Sequence, residues 1–417
     1  RFFIDKKVKV LYNSVCIILL LASRGTERKM SRKSVAVLDV RSDAVTVLIG
    51  ERGVNNTFVF QGIHTLPYDG YADAEFFDTQ QLCKAVTACL EEAERSYGER
   101  IREIFVGVPG EFLRVVTKRC FMSFQSKRRV NAYDLNSLFD QGTQQEQGFE
   151  LIRRSAVCYI TSDNRRTIDP IGMVSDSLEG YLSYFYADLR YEELFINTLT
   201  AYGIRKVEFL PVSLAEALYL ISSEVRDEYA VLLDIGKLSM TFSVVCGNGI
   251  VYQNACSLGG GHVTAQLYTD GDPAQLPFDV AEAMIGKINL SAKDTPGAVI
   301  EYVDKMQSYS LPIQFLKERV REGLDLLCER ISGFLENYGD KSIDYKPILL
   351  TGGGITGIRG AREHLSNRLN KVVEIIAPKL PYYNKAAQSS LLSLLNMALE
   401  TKRSKGFFYK LFNGIGG

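Results

Sequence analysis

Two stretches of the hydrophobic pattern repeat each other at long range. Val37–Ser42 and Leu232–Lys237 are apolar runs that end in one aspartate and a polar turn, and Ala44–Ile49 and Met240–Cys246 follow them. Each unit predicts a strand, a tight turn and a returning strand. A unit that recurs in this way predicts two similar halves that face a cleft. Because an unpaired buried charge is costly, an aspartate at such a strand end is expected to serve a cation or a phosphate.

Other apolar segments extend both halves. A third strand is predicted over 57–63 and a buried strand over 104–108, and 251–257 completes a second three-stranded meander. Helical spacing predicts helices over 78–97, 131–140, 191–202, 212–222, 278–285, 312–338, 361–369 and 388–399.

The pattern of apolar and polar residues changes from about residue 123. Short strands and helices there predict a compact inserted α/β segment rather than a linker. The predicted domains are an N-terminal extension (1–33), a first lobe (34–122), the insertion (123–203), a second lobe with helices that return to the first (204–400), and a linker with a tail (401–417).

The N-terminal extension contains a charge-free stretch, Val10–Ser23, that is shorter than the ~20 apolar residues of a bilayer-spanning helix. We interpret the extension as translated upstream sequence or a disordered segment, with a signal-peptide core as the alternative. The 417 residues carry 49 basic and 49 acidic side chains. A formal net charge of zero gives no general attraction to nucleic acid, so no nucleic-acid partner is expected.

Two glycine runs, Gly259–Gly261 and Gly352–Gly354, each follow a predicted strand and precede a helix. Glycine lets backbone N–H groups approach a ligand, and a helix N-terminus favours phosphate. Either run alone is typical of a simple turn. Together with the two aspartate hairpins, in this order, they predict a phosphate-binding cleft.

This ordered set resembles the superfamily of actin, sugar kinases and DnaK-type chaperones, and within it the bacterial cell-division family FtsA. Asp169–Met173 is similar to a turn of the FtsA insertion, and Leu210–Ala217 to the helix that opens the second half. The resemblance covers the chain from about Ser34 to its end. It implies an α/β, actin-like (ribonuclease H-like) duplicated two-lobe fold with an inserted FtsA-type α/β subdomain.

The resemblance also implies a site for ATP and Mg²⁺. Asp39 and Asp234 correspond to the aspartates that bear on the metal and phosphates, Thr241 to a loop hydroxyl, and Glu282 to a position on the helix that borders the ribose. No catalytic residue is predicted. The candidate cofactor-binding set is Asp39, Arg41, Ser42, Asp234, Gly236, Lys237, Thr241, Gly259, Gly260, Gly261, Glu282, Gly352, Gly353 and Gly354, with Asp39 and Asp234 as metal contacts.

Both phosphate loops depart from the family pattern. The first follows its aspartate with Arg41 where the family has glycine, and the second has Lys237 and Leu238 in place of two glycines. The Cβ of Leu238 disfavours the left-handed angles that glycine permits. Arg41 and Lys237 either supply direct charge to a phosphate or fill the space of the ligand. Nucleotide binding with at most weak ATPase activity is expected.

The C-terminal segment shows a different pattern. Apolar residues share one helical face, Lys410 lies opposite, and Lys402, Arg403 and Lys405 precede them. This pattern predicts an interfacial membrane anchor, and packing on the protein's own core is the alternative. The candidate membrane-contacting residues are Phe407, Phe408, Lys410, Leu411, Phe412 and Ile415.

The resemblance implies an actin-like adaptor that binds ATP, self-assembles and tethers filaments of the division protein FtsZ to the cytoplasmic face of the cell membrane at the division site. Two alternatives remain open at this point. One is a non-hydrolysing membrane scaffold related to FtsA or to the pilus-assembly protein PilM. The other is an ATP-dependent kinase of the same superfamily.

Overall fold

The chain forms two sheets of the same construction, each begun by one of the aspartate hairpins. A computed structural model describes residues 34–268, 276–293 and 295–413, the side chains of 56 and 405–413 excepted. The strands are β1 Val35–Val40, β2 Ala44–Arg52, β3 Phe58–Pro67, β4 Tyr71–Ala72, β5 Glu75–Phe76, β6 Glu103–Val108, β7 Leu113–Arg129, β8 Phe149–Thr161, β9 Arg166–Thr167, β10 Val174–Asp188, β11 Lys206–Pro211, β12 Ala230–Ile235, β13 Met240–Cys246, β14 Gly249–Cys256, β15 Val299–Asp304, β16 Gln307–Pro312, β17 Ile348–Thr351 and β18 Val373–Ile375. The α-helices are α1 Thr79–Tyr97, α2 Ala132–Gly142, α3 Leu189–Tyr202, α4 Val212–Leu220, α5 Ser223–Arg226, α6 Gly260–Ala265, α7 Phe278–Ile285, α8 Ile313–Tyr338, α9 Ala361–Leu369 and α10 Ser389–Asn413.

The predicted duplication is present in the strand order. One five-stranded sheet runs β3-β2-β1-β6-β11, and the other runs β14-β13-β12-β17-β18. In both, three antiparallel strands are followed by two parallel ones. The register repeats as well, because Asp39 pairs with Thr46 and Asp234 with Thr241. The two halves are therefore equivalent at the level of single residues.

Each sheet is covered by helices that its sequence pattern specifies. Helix α1 buries the apolar face that was predicted. It begins after Asp78, whose carboxylate accepts hydrogen bonds from two backbone N–H groups, and it ends at Gly98, which has a φ of +85°. Helix α8 buries Leu316, Val320 and other apolar residues against the second sheet. The first half of α10 returns to the first lobe, where Leu392, Leu394, Leu395 and Ala398 join the core.

The insertion is a four-stranded sheet, β7-β10-β8-β9, with α2 and a small core of its own. Asn131 and Asp134 form a reciprocal capping box at the start of α2, and Arg128 pairs with the same carboxylate at 2.6 Å. The long edge strand β7 begins at Leu113, before the boundary drawn at residue 123. Its exposed basic positions hide the strand pattern. The domain boundaries themselves stay predictions.

One expectation about local structure is wrong, and one element was not predicted. The pattern predicted a break between an apolar helix ending at 399 and a separate tail, but the backbone of α10 is helical from Ser389 to Asn413. No proline interrupts this segment, and the Thr401 hydroxyl donates to the Met397 carbonyl oxygen at 2.8 Å, so the basic stretch continues the helix. The β15–β16 hairpin was not predicted, because its alternating residues face solvent on one side and lack a strong turn signal.

Candidate functional site

The two aspartates occupy equivalent positions beside a parallel neighbour strand. Asp39 lies near the end of β1 and is 2% exposed, and Asp234 lies near the end of β12, where it pairs with Thr351 of β17. The carboxyl ends of parallel strands are the usual place for ligands in open α/β sheets. Both carboxylates line one cleft of about 410 Å³, a volume in the range of small-molecule sites.

The cleft gathers almost the whole predicted set. The predicted residues that line it are Asp39, Arg41, Ser42, Asp234, Gly236, Lys237, Thr241, Gly260, Gly261, Glu282, Gly352, Gly353 and Gly354. Gly259 does not line it. The Gly259 N–H instead donates to Nδ1 of His262 at 3.1 Å, which fixes the turn into α6.

The glycine runs have a packing reason that the sequence did not reveal. A Cβ on Gly260 would lie 2.0 Å from the carbonyl oxygen of Gly354, and a Cβ on Gly354 would lie 2.1 Å from that of Gly236. The N–H groups of Gly260 and Gly354 donate to the carbonyl oxygens of Gly236 and Ile235 at 2.9 and 2.8 Å. Three loops thus touch through their backbones, and the glycines are required for that contact.

The two phosphate loops are bonded to each other. The Leu238 N–H donates to Oγ of Ser42 at 3.0 Å, and the hydroxyls of Tyr71 and Ser239 are 3.4 Å apart. In this arrangement, the Leu238 amide is engaged with Ser42 rather than open to a phosphate, whereas the Ser42 hydroxyl accepts this bond and keeps its own O–H as a donor. A ligand that needs the Leu238 amide must first separate this pair.

The two basic residues of the loops have different surroundings. Nζ of Lys237 lies 3.2 Å from Oε2 of Glu282 and 5.5 Å from the centre of the Phe278 ring. Two of the predicted site residues therefore neutralise each other. Arg41 reaches the Ala387 carbonyl oxygen with Nη1 at 3.5 Å, and its Nε is buried without a hydrogen-bond partner among the described residues.

A third carboxyl, missed by the sequence analysis, lies at the cleft. Glu216 of α4 is 1% exposed, and its Oε1 has no hydrogen-bond partner within the described part of the chain. Burial, with the charges of Asp234 and Asp39, raises the pKa of Glu216 well above its usual value. Burial and the charge of Asp39 raise the pKa of Asp234 to about 7. Burial also raises the pKa of Asp39. The Ser390 hydroxyl donates to Oδ2 of Asp39 at 2.7 Å and offsets part of that rise.

The signal for Glu216 was weak. It is one acidic residue in the apolar run Val212–Leu220, and such a residue is typical of an exposed helix position. Ser390 likewise lies at the start of an apolar helix far along the chain. Only the return of α10 to the first lobe brings its hydroxyl to Asp39.

The cleft meets the requirements of a nucleotide better than those of a metal ion. The cleft's size, its glycine-lined wall and its basic residues suit a nucleoside polyphosphate. Carboxylate oxygens suit Mg²⁺. In the described ranges, however, no three acidic, histidine or cysteine side chains are grouped to hold a metal ion. The positive charge of Arg41 offsets only part of the rise that burial causes in the pKa of both aspartates.

The predicted membrane residues lie at the end of α10. Phe407, Phe408, Lys410, Leu411 and Phe412 belong to this helix, although their side chains are outside the described ones, and Ile415 is outside the described residues. Upstream of them, Thr401 is buried, whereas Arg403 and Ser404 are exposed. No helix in the described ranges has the length and apolar character needed to cross a bilayer.

Comparison with curated proteins finds three significant relatives, all of them cell-division proteins FtsA. The chain is 21% identical to FtsA of Pseudomonas aeruginosa over 78% of both chains. It is 25% identical to FtsA of Helicobacter pylori (strain J99) over 50% of this chain and 44% of that protein. No family model matches the sequence.

Solved structures of the same fold cover most of the chain. A PilM–PilN type IV pilus biogenesis complex matches with a TM-score of 0.59 and 13% identity, over 88% of this chain and 99% of the other. MreB5 of Spiroplasma citri bound to ADP matches with a TM-score of 0.53 and 11% identity, over 90% and 98%. The predicted fold class is thereby confirmed. The predicted resemblance is confirmed as well, since the chain is similar to curated FtsA proteins and has an actin-like fold.

Proposed function

We propose that this protein is a cell-division adaptor that binds ATP in the cleft, self-assembles, and tethers FtsZ filaments to the cytoplasmic face of the cell membrane. The observation that carries the proposal is the pair of equivalent aspartate hairpins, Asp39 and Asp234, facing one cleft in a chain similar to FtsA. FtsZ, further copies of this chain and an anionic membrane are the proposed partners.

The residues of the cleft have separate proposed roles. Arg41 binds phosphate oxygens, and the wall of Gly352–Gly354 packs against the adenosine. Glu282, once released from Lys237, accepts from ribose hydroxyls, and Lys237 is then free to bind a phosphate. The resemblance assigns Mg²⁺ to Asp39 and Asp234, where the ion would screen the phosphate charge. Hydrolysis is not part of the proposal, because the loops lack the open glycine amides of the family pattern.

The membrane role is supported by the course of α10. Its first half is fixed in the core of the first lobe, and Arg52 holds it through Glu400 and Asn396 at 2.6 and 2.9 Å. The helix then continues into the aromatic segment. Each basic residue near an anionic surface adds about 1 kcal/mol, and each apolar side chain that is fully buried adds about 1.5–3 kcal/mol. Ordering costs offset part of this, so one tail binds weakly and an assembly binds tightly.

Co-sedimentation tests this proposal directly. The full chain is expected to carry FtsZ filaments onto anionic liposomes, whereas a chain ending at Ser404 is expected to carry at least tenfold less, because it lacks the apolar anchor. Phe408→Asp in the full chain should behave like the truncation, since a charge on the apolar face opposes insertion. The Phe77→Ala variant is the matched control, because Phe77 is an exposed aromatic residue outside the tail.

Two results would contradict parts of the proposal. Equal pelleting of the full and truncated chains with liposomes would remove the membrane role. Pelleting of the adaptor without FtsZ would remove the tethering role and leave the membrane role intact.

A second candidate is a membrane scaffold without nucleotide chemistry. The observation that favours it is the engagement of the loop donors, since Leu238 bonds Ser42 and Lys237 bonds Glu282. A scaffold would keep these contacts permanently. It would bind liposomes through the tail and would bind no nucleotide.

A further inference from the structure

Helix α10 crosses the first lobe from the cleft to the opposite end of the sheet. Near its start, the Ser390 hydroxyl donates to Oδ2 of Asp39, close to the carboxyl end of β1, at 2.7 Å. Further along, Nη2 of Arg52, the last residue of β2, lies 2.6 Å from Oε1 of Glu400. Because β2 is antiparallel to β1, its end lies beside the start of β1. The helix therefore leaves the lobe at the amino end of the first sheet, where the parallel strands β1, β6 and β11 begin.

The insertion holds α10 at the same end of the sheet. Nη1 of Arg153 on β8 donates to Oγ1 of Thr401 at 3.2 Å, and Thr401 is buried. Arg403 and Ser404 are exposed, so α10 passes from the core to the surface just after Thr401. Arg153 from the insertion and Arg52 from the first sheet thus fix the helix close to the point where it leaves the protein.

Two exposed arginines lie at the amino end of the first sheet. Arg102 precedes β6 and Arg205 precedes β11, and the Arg205 N–H donates to the Arg102 carbonyl oxygen at 2.9 Å, so they are neighbours. Neither has an ion-pair partner among the described residues, whereas Lys206 beside them pairs with Glu208 at 2.8 Å. Glu103 is exposed as well, but the two arginines outnumber it. This end of the sheet therefore presents positive charge.

The arginines lie level with the exit of α10. A Cβ on Gly107 of β6 would lie 2.5 Å from Cδ1 of Leu394, which places these two residues side by side. Arg102 is about 17 Å from Gly107 along the strand, at 3.3 Å per residue. The same length of α-helix, at 1.5 Å per residue, is about eleven residues and reaches from Leu394 to Lys405. Arg102 is therefore level with the basic stretch of α10, just before its aromatic segment.

Little helix remains beyond this level. From Lys405 to the end of α10 at Asn413 the helix rises by about 12 Å. An aromatic segment inserted in a membrane interface would thus hold Arg102 and Arg205 within about a Debye length of the lipid headgroups. The planar N–H donors of a guanidinium also match phosphate oxygens in a bidentate manner.

We propose that Arg102 and Arg205, at the amino end of the first sheet, form a second membrane-contact surface, which binds the anionic headgroups of a lipid bilayer. This inference rests on the proposed membrane role of the tail and adds an electrostatic contact to its apolar one. The fixed direction of α10 brings both contacts to the same bilayer. The cleft, at the carboxyl end of the same sheet, then faces away from the lipid and stays open to nucleotide.

Co-sedimentation of the full chain with vesicles of phosphatidylglycerol and phosphatidylcholine tests the inference. Each basic residue near an anionic surface strengthens binding by about fivefold, so the double variant Arg102→Gln, Arg205→Gln is expected to bind at least about tenfold more weakly. The double variant Arg102→Lys, Arg205→Lys keeps the charge and should bind within about threefold of wild type. In concentrated salt the glutamine variant and wild type should bind alike, because salt screens the contact and leaves the apolar anchor.

The double variant Arg330→Gln, Lys341→Gln is the matched control, because both residues are exposed basic residues of the second lobe and their loss changes the net charge equally. It should bind like wild type, and thermal unfolding checks the folding of every variant. A glutamine variant of Arg102 and Arg205 that binds no more weakly than this control would overturn the inference and keep the membrane role of the tail. A loss of binding that persists in concentrated salt would also overturn it. A wild-type chain that binds no vesicles would overturn the membrane role itself, and the inference with it.

Discussion

Gly354→Ala is expected to lower the free energy of unfolding by about 3 kcal/mol, at the upper end of the range for overpacked sites. The added Cβ would lie 2.1 Å from the carbonyl oxygen of Gly236 and 2.9 Å from that of Ile235. Both contacts are backbone atoms, which cannot rotate away as a side chain can. The second of them also accepts the Gly354 N–H, so relief of the clash would break that hydrogen bond. Urea unfolding followed by circular dichroism measures the loss.

Gly357→Ala provides the control from the same loop. Gly357 also lines the cleft, but a Cβ there meets no atom within 4 Å. It is exposed, so its substitution is expected to change stability by at most about 0.5 kcal/mol. Equal stability of the two variants would show that the three loops are not in backbone contact in solution.

The glycine runs were predictable in their place and not in their contacts. Their position after a strand and before a helix, taken together with the two aspartate hairpins, predicted that Gly260 and Gly354 lie in one cleft. Gly260 and Gly354 also have a reason for glycine that was not expected, since they let three loops touch and their amides donate to the carbonyl oxygens of Gly236 and Ile235. Contacts between residues far apart in the chain carry no local signal, so the pattern did not reveal them.

The duplicated hairpins were predictable for a clear physical reason. A buried strand tolerates a lone aspartate only where something compensates its charge, so Asp39 and Asp234 stand out in their apolar runs. Glu216 gave no such signal, because one acidic residue in a short helix usually faces water. Its burial depends on how α4 packs between the sheet and α10, which is a property of the assembled fold.

The edge strand β7 and the end of α10 were not predicted, because basic residues changed the local composition of both. β7 carries basic residues on its exposed face, and their effect on composition outweighed the alternation that marks a strand. In α10 the basic stretch after residue 400 was interpreted as a linker because it interrupts the apolar pattern. A helix keeps its backbone hydrogen bonds where it extends beyond the core, although it no longer needs an apolar face there. The change in composition after residue 400 therefore marked the end of the buried part of α10 and not the end of the helix.

Unfolding of the unliganded protein is expected to become easier as the pH rises from about 5 to 8. Burial raises the pKa values of Asp39, Glu216 and Asp234, the last from 3.8 to about 7. In that window the folded state holds protons that the unfolded state has released, so stability falls with rising pH. The stabilising contribution is complete below the unfolded-state pKa values and is lost as the pH passes the folded-state values. Since one pKa unit corresponds to about 1.4 kcal/mol, the shift of Asp234 alone corresponds to several kcal/mol, and Asp39 and Glu216 act in the same direction.

Glu216→Gln is expected to flatten this dependence and to raise the free energy of unfolding at pH 8 by about 1–3 kcal/mol, because the amide has no charge to desolvate. At pH 5 the variant and the wild type should differ little, since Glu216 is then protonated in the folded state. Glu336→Gln, at an exposed position of α8, is the control and should follow the wild-type curve. Denaturant unfolding at several pH values provides the measurement. A wild-type stability that rises between pH 5 and 8, or a Glu216→Gln variant that is less stable than wild type at pH 8, would mean that Glu216 is held as a charged group by a cation in the cleft.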